Sequence, residues 1–545
     1  MSKDLGDFQT PPDLVNAVLH CLTRTGQHWT RALEPTCGQG NFIRGLLELE
    51  RPPREVWGIE LQHTYVQQAQ DTVQQACSSQ VFIHRANIFQ VNLRADAPWK
   101  TSGPLLVVGN PPWITNAALG SLASTNLPAK SNLKGLSGLE AMTGESNFDI
   151  AEYILLKLIR ELEREQPTIA FLCKTSVARN ILYYAFKANL PVGEASIRKI
   201  DSKKFFGAFV DGCLFCFKLG VDNPSYQAEV YDDLLATEPL SFTGVSDGRL
   251  VANVVVSKQW RFLDGTCPLS WRQGMKHDAA SIMEFVYDSS GRLMNKLGEI
   301  VEVEPQYVYP LLKSSDLGGR EKARPKKAVI VTQQRIGEDT SKLVFAAPLL
   351  WKYLSRHQDV FDKRKSTIYE KQPSFAIFGV GPYTFAPYKV AISGMYKRLQ
   401  FRALGPVDGK PVVFDDTCYF IPCASAQQAA LIASLLQSCL CMNFLNSIIF
   451  WDAKRPVTKK LLQRIDLHAL LQNERRENVL LRANAELQRL GYTEQPIVWP
   501  DRLADFLEEY PAAGDGRQAP ARRDYTGIDG QKVHPIAFSL PDAYT

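Results

Sequence analysis

Over the first 220 residues, short apolar runs alternate with helical stripes. Ala32-Leu33, Glu55–Glu60, Val81-Phe82-Ile83, Leu105–Val108, Ile169–Leu172 and Val210–Phe215 read as strands. Leu105–Val108 has no polar alternation, as in a parallel strand buried on both faces. Between these runs the apolar residues space helically: Leu14, Val15, Val18, Leu19 and Leu22; then Phe42, Ile43, Leu46 and Leu47; then Ile150, Tyr153, Ile154, Leu155 and Leu158. Residues 61–76 read as a polar surface helix. Pro11 and Pro12 open the first helix, with Thr10 expected as its N-cap. Strands alternating with helices at this spacing predict an α/β fold built on a doubly wound sheet.

The pattern then breaks. Residues 114–146 are rich in Ser, Asn, Gly, Ala and Lys without periodicity, the composition of a lid. Residues 220–245 turn polar and read as a boundary. Beyond them come many short strands and turns, among which Trp271–Gly274 and Tyr309–Lys313 stand out. One apolar helix is expected over 425–447, a charged helix over 474–490 and a loose tail over 511–545. The expected units are 1–235, a mixed α+β unit over 236–470, and a helix with tail over 471–545.

Composition adds two things. The chain has 545 residues and 45% hydrophobic content, enough for two to four domains of ordinary core. Its net charge of +5 is uneven: residues 255–470 hold 30 Lys+Arg against 19 Asp+Glu. A basic back half behind an acidic front half suggests a polyanion-binding unit joined to a catalytic one. The basic candidates are Arg272, Lys313, the Arg320–Lys327 tract, Lys363, Arg364, Lys365, Lys454 and Arg455. No run reaches the length of a membrane span and no signal peptide is evident, so no membrane is expected. The 11 cysteines form no framework, which fits reduced, cytoplasmic thiols. Cys213 and Cys216 have CxxC spacing but no second pair nearby, so no metal is expected.

The candidate chemistry sits at the strand ends. In Glu34-Pro35-Thr36-Cys37-Gly38-Gln39-Gly40 an acid meets a tight glycine turn. Glycines let a ligand approach the backbone, and the acid favours a cationic group such as an amine or sulfonium over a phosphate. Glu60, at the end of the next strand, is placed to bond both hydroxyls of a ribose. Asn87 can bond an adenine amine, with Ile88 against the ring. Leu105–Val108 ends in Gly109-Asn110-Pro111-Pro112-Trp113. The prolines forbid both helix and ladder, leaving a rigid turn outside the strand's carboxyl end. The Asn110 side-chain oxygen and the Pro111 carbonyl are two acceptors suited to polarising an aromatic exocyclic amine, and Trp113 suited to stacking on its ring. The plainer alternative is a strand-ending turn, for which Asn-Pro is a common signal.

Taken together, these segments resemble the gamma class of adenine-N6 DNA methyltransferases of restriction–modification and phage-defence systems. The resemblance covers about residues 8–217, with looser similarity through the back half to DNA target-recognition domains. Phe8, Thr10 and Pro11 resemble the N-terminal motif touching the methionine part of S-adenosylmethionine. Glu34, Pro35, Cys37, Gly38 and Gly40 resemble its glycine turn, Glu60 the ribose acid, and Asn87 and Ile88 the adenine pair. Asn110–Trp113 resembles the catalytic tetrapeptide, and Phe205 or Phe206 the aromatic covering the other face of a flipped base. The family more often has Asp at the Asn87 position, an aromatic at Ile88, and Tyr or Phe at Trp113. The resemblance implies a Rossmann-like class I methyltransferase domain followed by a target-recognition domain. It implies S-adenosylmethionine as cofactor and double-stranded DNA as substrate, with a separate restriction or defence subunit as a further partner.

Three alternatives remain open. The front unit alone also suits methylation of RNA or a protein glutamine; the basic back half argues against the glutamine enzyme. A non-catalytic DNA-binding subunit is opposed by the intact Asn-Pro-Pro-Trp. A fused restriction enzyme is not expected, since only seven residues precede Phe8 and the tail shows no nuclease constellation.

Overall fold

A computed structural model describes residues 9–24, 26–73, 79–114, 149–207, 210–319, 325–492 and 497. Phe8, most of the expected lid, Arg320–Arg324 and the tail lie outside the described residues. The front half is organised on a ten-stranded sheet. Its strands are β1 (Arg31–Glu34), β2 (Glu55–Glu60), β3 (Gln80–Arg85), β4 (Leu105–Gly109), β5 (Thr168–Lys174), β6 (Val192–Ile200), β7 (Gly212–Leu219), β8 (Gln227–Tyr231), β9 (Ser241–Ser246) and β10 (Arg249–Val251). The order is β10-β9-β8-β6-β7-β5-β4-β1-β2-β3. β3, β2, β1, β4 and β5 run parallel, and β7 lies antiparallel between β5 and β6.

The apolar runs explain this sheet. Successive residues of β4 enter opposite cores. Leu105 and Val107 join one cluster with the helix Ile150–Leu162, and Leu106 and Val108 the other with the helix Pro12–Thr23. Asp149 caps the former helix by accepting from the Ala151 N–H at 3.1 Å. The sequence order reverses between β1 and β4, and such a switch point opens a crevice beyond the strands' carboxyl ends.

Three expectations are corrected. Thr10 does not cap the first helix: Pro11 is the N-cap residue and no side chain bonds there. The expected helix over 425–447 is two, Ala426–Leu436 and Cys439–Ile448, because Ser438 accepts from the Cys441 N–H at 3.2 Å and starts a new helix. The polar stretch near 220–245 carries β8 and most of β9, so the sheet continues past position 235 to Val251. Its polarity reflects strands with one partly exposed face rather than a linker. Among the described residues no single helix is long and apolar enough to cross a membrane.

The back half holds a four-stranded antiparallel sheet and a five-stranded mixed sheet. The first comprises Arg272–Gln273, Tyr388–Ser393, Arg402–Leu404 and Cys418–Cys423, and the two helices after Ser425 pack on it. The second is built around Val308–Leu312 and Lys327–Ile330 with its own core. A polar clasp joins the halves. Asp452 accepts from the Thr175 hydroxyl and from Arg179 Nη1, the latter at 2.6 Å, and the Arg179 guanidinium lies 4.2 Å from the Phe450 ring centroid.

Candidate active site

The crevice at the switch point contains a cavity of about 340 Å³. Four strand ends supply its walls: Glu34 from β1, Glu60 from β2, Ala86–Phe89 after β3, and Asn110 with Pro112 after β4. Thr10, Pro35, Cys37 and Gly38 also line it. Pro11, Gly40, Pro111 and Trp113 do not; they flank it and shape the backbone that does.

The glycine turn is built as its sequence demands. Gly38 and Gly40 have φ of +49° and +81°, where other residues are strained. A Cβ on Gly38 would also strike the Gln9 side chain, 2.5 Å away. Glu60 locks the turn, accepting from the Gly38 N–H at 2.9 Å and the Gln62 N–H at 2.8 Å. A carboxylate oxygen can accept more than one hydrogen bond, so these two bonds do not by themselves exclude hydroxyl donors. Glu34 is only 3% exposed, and its Oε2 has no hydrogen-bond partner among the described residues. Burial pushes its carboxyl well above the usual range; the Glu60 charge adds to this and the Ile43 N–H opposes it. A buried carboxylate with one oxygen unmatched is costly unless a cationic ligand supplies the missing partner. The site therefore fits a molecule carrying both a cation and a ribose.

Asn87 accepts from the Phe89 N–H at 3.1 Å, which fixes the turn after β3, and Ile88 is buried beside it. Asn110 Nδ2 donates to Thr10 Oγ1 at 3.2 Å. Trp113 is buried, its indole N–H donating to the Leu172 carbonyl at 3.2 Å. Its ring meets Phe206 edge-on, with centroids 5.3 Å apart. Phe205 and Phe206 end the short helix Ser202–Phe206; Phe206 is buried and Phe205 half-buried.

Several lining residues escaped sequence reasoning. Gln9 accepts from the Gln39 N–H at 3.1 Å, and Asn41 donates to the Thr10 carbonyl at 2.9 Å. Tyr65, Phe89, Ile114, Ile150 and Ile154 complete the wall. Ile150 and Ile154, one helical turn apart, had registered only as core-facing positions.

The basic candidates fall into two groups. Lys363, Lys365 and Lys454 are exposed; Lys363 pairs only with exposed Asp359, at 2.8 Å. Lys326, from the Arg320–Lys327 tract, is exposed too, whereas Lys313, Arg455, Arg364 and Arg272 have internal partners. Lys313 pairs with buried Glu284 at 2.5 Å, and Arg455 with Asp416 at 3.1 Å. Arg364 donates to the Ala376 carbonyl at 2.7 Å and stacks 3.7 Å from the Tyr369 ring centroid. Arg272 lies 4.6 Å from the Tyr383 ring centroid. No group of metal-ligating side chains occurs among the described residues.

No family model matches the chain. The type II methyltransferase M.NspV of Nostoc sp. is 37% identical over 468 residues, covering 86% of this chain and 97% of that protein. The chain belongs to the type II methyltransferases. This methyltransferase is a restriction–modification DNA enzyme with S-adenosylmethionine as cofactor. Its fold matches that of the type IIL restriction–modification enzyme MmeI, solved in complex with DNA, at a TM-score of 0.52 and 15% identity over 89% of this chain and 68% of that one. The type IIG restriction endonuclease BpuSI aligns over 90% of this chain and 60% of its own at a TM-score of 0.32 and 14% identity.

Proposed function

We propose that this methyltransferase modifies the N6 amine of an adenine flipped out of duplex DNA. The observation that carries the reading is the Asn110-Pro111-Pro112-Trp113 turn, whose amide lines the same cavity as Glu34 and Glu60. An adenine amine is a weak nucleophile because its lone pair is delocalised into the ring. Asn110 Oδ1 and the Pro111 carbonyl accept its two N–H bonds and draw the nitrogen towards tetrahedral geometry. The amine cannot be reached inside a stacked duplex, so the base must leave it. The Trp113–Phe206 pair holds the wall, and Phe205, with the more accessible ring, covers the free face of the base. Glu60 holds the ribose of the cofactor, Glu34 and the glycine turn its cationic end, and Asn87 and Ile88 its adenine. Bound S-adenosylmethionine supplies an electrophilic methyl group on a sulfonium.

Methylation at cytosine C5 needs a thiolate nucleophile. Among the described residues Cys37 is the cysteine lining the cavity, and burial, with Glu34 and Glu60 beside it, pushes its thiol well above the usual range. An exocyclic amine is thus the better target. Nucleoside mass spectrometry on DNA from cells expressing the protein should show N6-methyladenine. A gain in 5-methylcytosine or N4-methylcytosine instead would overturn the assignment.

The exposed lysines are proposed to contact phosphates. Replacing Lys363 and Lys365 by glutamine should flatten the salt dependence of duplex binding by about one unit of log–log slope per lost contact. Arg364→Gln should instead lower the melting temperature, since its guanidinium bonds and stacks internally. Anisotropy titrations between low and moderate salt, with thermal melts, separate the two. An unchanged slope in the double variant removes these lysines from the interface.

A further inference from the structure

Thr10 enters the fold as the residue before a proline pair, yet its hydroxyl caps nothing on its own helix. It is 5% exposed and accepts from Asn110 Nδ2, 100 positions away. We propose that Thr10 is the positioning residue for the catalytic amide: it takes the Asn110 N–H and thereby directs Asn110 Oδ1 to the target amine. The inference rests on the reading of Asn110 as the acceptor for that amine.

The hydroxyl is held where it is needed. Pro11 fixes the backbone after Thr10, at φ −61°. Asn41, at the start of the helix after the glycine turn, donates to the Thr10 carbonyl at 2.9 Å. Gln9, one residue earlier, accepts from the Gln39 N–H within the turn. Thr10 is thus tied to the cofactor-side turn through its backbone and to the catalytic amide through its side chain. An amide that donates from nitrogen becomes a stronger acceptor at oxygen, because linked hydrogen bonds polarise one another. Without the hydroxyl, the Asn110 side chain loses one of the bonds that set its direction. Losing such a directing bond while the base is bound corresponds to a loss of about tenfold in rate.

The test compares two pairs that differ by one hydroxyl: wild type with Thr10→Val, and Thr10→Ser with Thr10→Ala. Each protein is assayed for single-turnover methylation of long DNA from a host lacking DNA methyltransferases, using labelled S-adenosylmethionine, and for cofactor affinity by calorimetry. In each pair the protein lacking the hydroxyl should be about tenfold slower at saturating cofactor, a rate loss larger than any loss of cofactor affinity. Thr10→Ser should keep most of the wild-type rate. Rates within twofold inside both pairs overturn the inference. So does a rate loss matched by an equal loss of cofactor affinity. If Thr10→Val does not fold, the Ser/Ala pair decides alone. Asn110→Ala, run alongside, separates the layers. An active Asn110→Ala protein sinks the reading of the site; an inactive one with normal Thr10 variants sinks only the positioning role.

Discussion

Asn110→Ala should slow single-turnover methyl transfer by about 10²–10³-fold, the usual consequence of removing one preorganised polar group from a transition state. The loss should fall on the chemical step. The amine gains acceptor strength from Asn110 mainly as it leaves planarity, so ground-state binding of DNA and cofactor should change little. The fold should also tolerate the change. Pro111 and Pro112 hold the turn after β4 regardless of the side chain before them, and Asn110 is itself half-buried rather than core. If Asn110 is only a strand-ending residue, rate and stability should fall modestly together. A folded Asn110→Ala protein that binds cofactor and methylates at near-normal rate would sink the mechanism.

Glu34→Gln should raise stability and abolish tight cofactor binding at once. The Glu34 carboxyl is buried, and burial followed by the Glu60 charge raises its folded pKa well above 4.5. The sign follows from proton linkage. The folded state holds this proton more tightly than the unfolded chain, so stability is greatest below about pH 4.5 and declines as pH rises towards the folded pKa. Glutamine keeps the shape and removes the titration. The variant should therefore melt higher than wild type, by a margin that grows over that window. Cofactor affinity should move the other way. A charge-assisted contact is worth about 1.5–3 kcal/mol, so its loss weakens binding by roughly tenfold to a hundredfold. A cationic ligand also favours the ionised carboxyl, so wild-type binding should release a proton where Glu34 is otherwise neutral. Calorimetry in two buffers of different ionisation enthalpy detects that proton, and it should vanish in Glu34→Gln. Unchanged affinity in the variant would remove Glu34 from the cofactor's cationic end.

Much of the catalytic half was legible because its signals are local. A run such as Leu105–Val108 can satisfy its apolar side chains only between two layers, and its Gly-Asn-Pro-Pro ending states where the ladder stops. Glu34 and Glu60 stood out as acids closing apolar strands. What escaped was relational. The Thr10 hydroxyl looked like a helix cap because its partner, Asn110, lies 100 residues away in sequence. The break at Ser438 was masked by apolar residues on both sides, which keep both helices buried. Charge counting could not see internal pairing for the same reason. Lys313 and Arg364 add to the basic total, but Glu284 and the Ala376 carbonyl already hold them.

The strands β8–β10 bear on how the two halves can be exchanged. A back half hung on a flexible tether could be exchanged at any convenient point in that tether. Here the front sheet itself runs on to Val251, and Arg464, from the back half, donates to the Leu250 carbonyl at 3.2 Å. A chimera cut at 235 would part β8 from β9, whose antiparallel pairing joins Gln227–Val230 to Ser241–Gly244. Val251 itself packs into the core of the back half, and a graft sewn after it inherits a matching requirement. The incoming module must bring an acid where Asp452 stands, because Arg179 and Thr175 remain behind on the recipient to receive it.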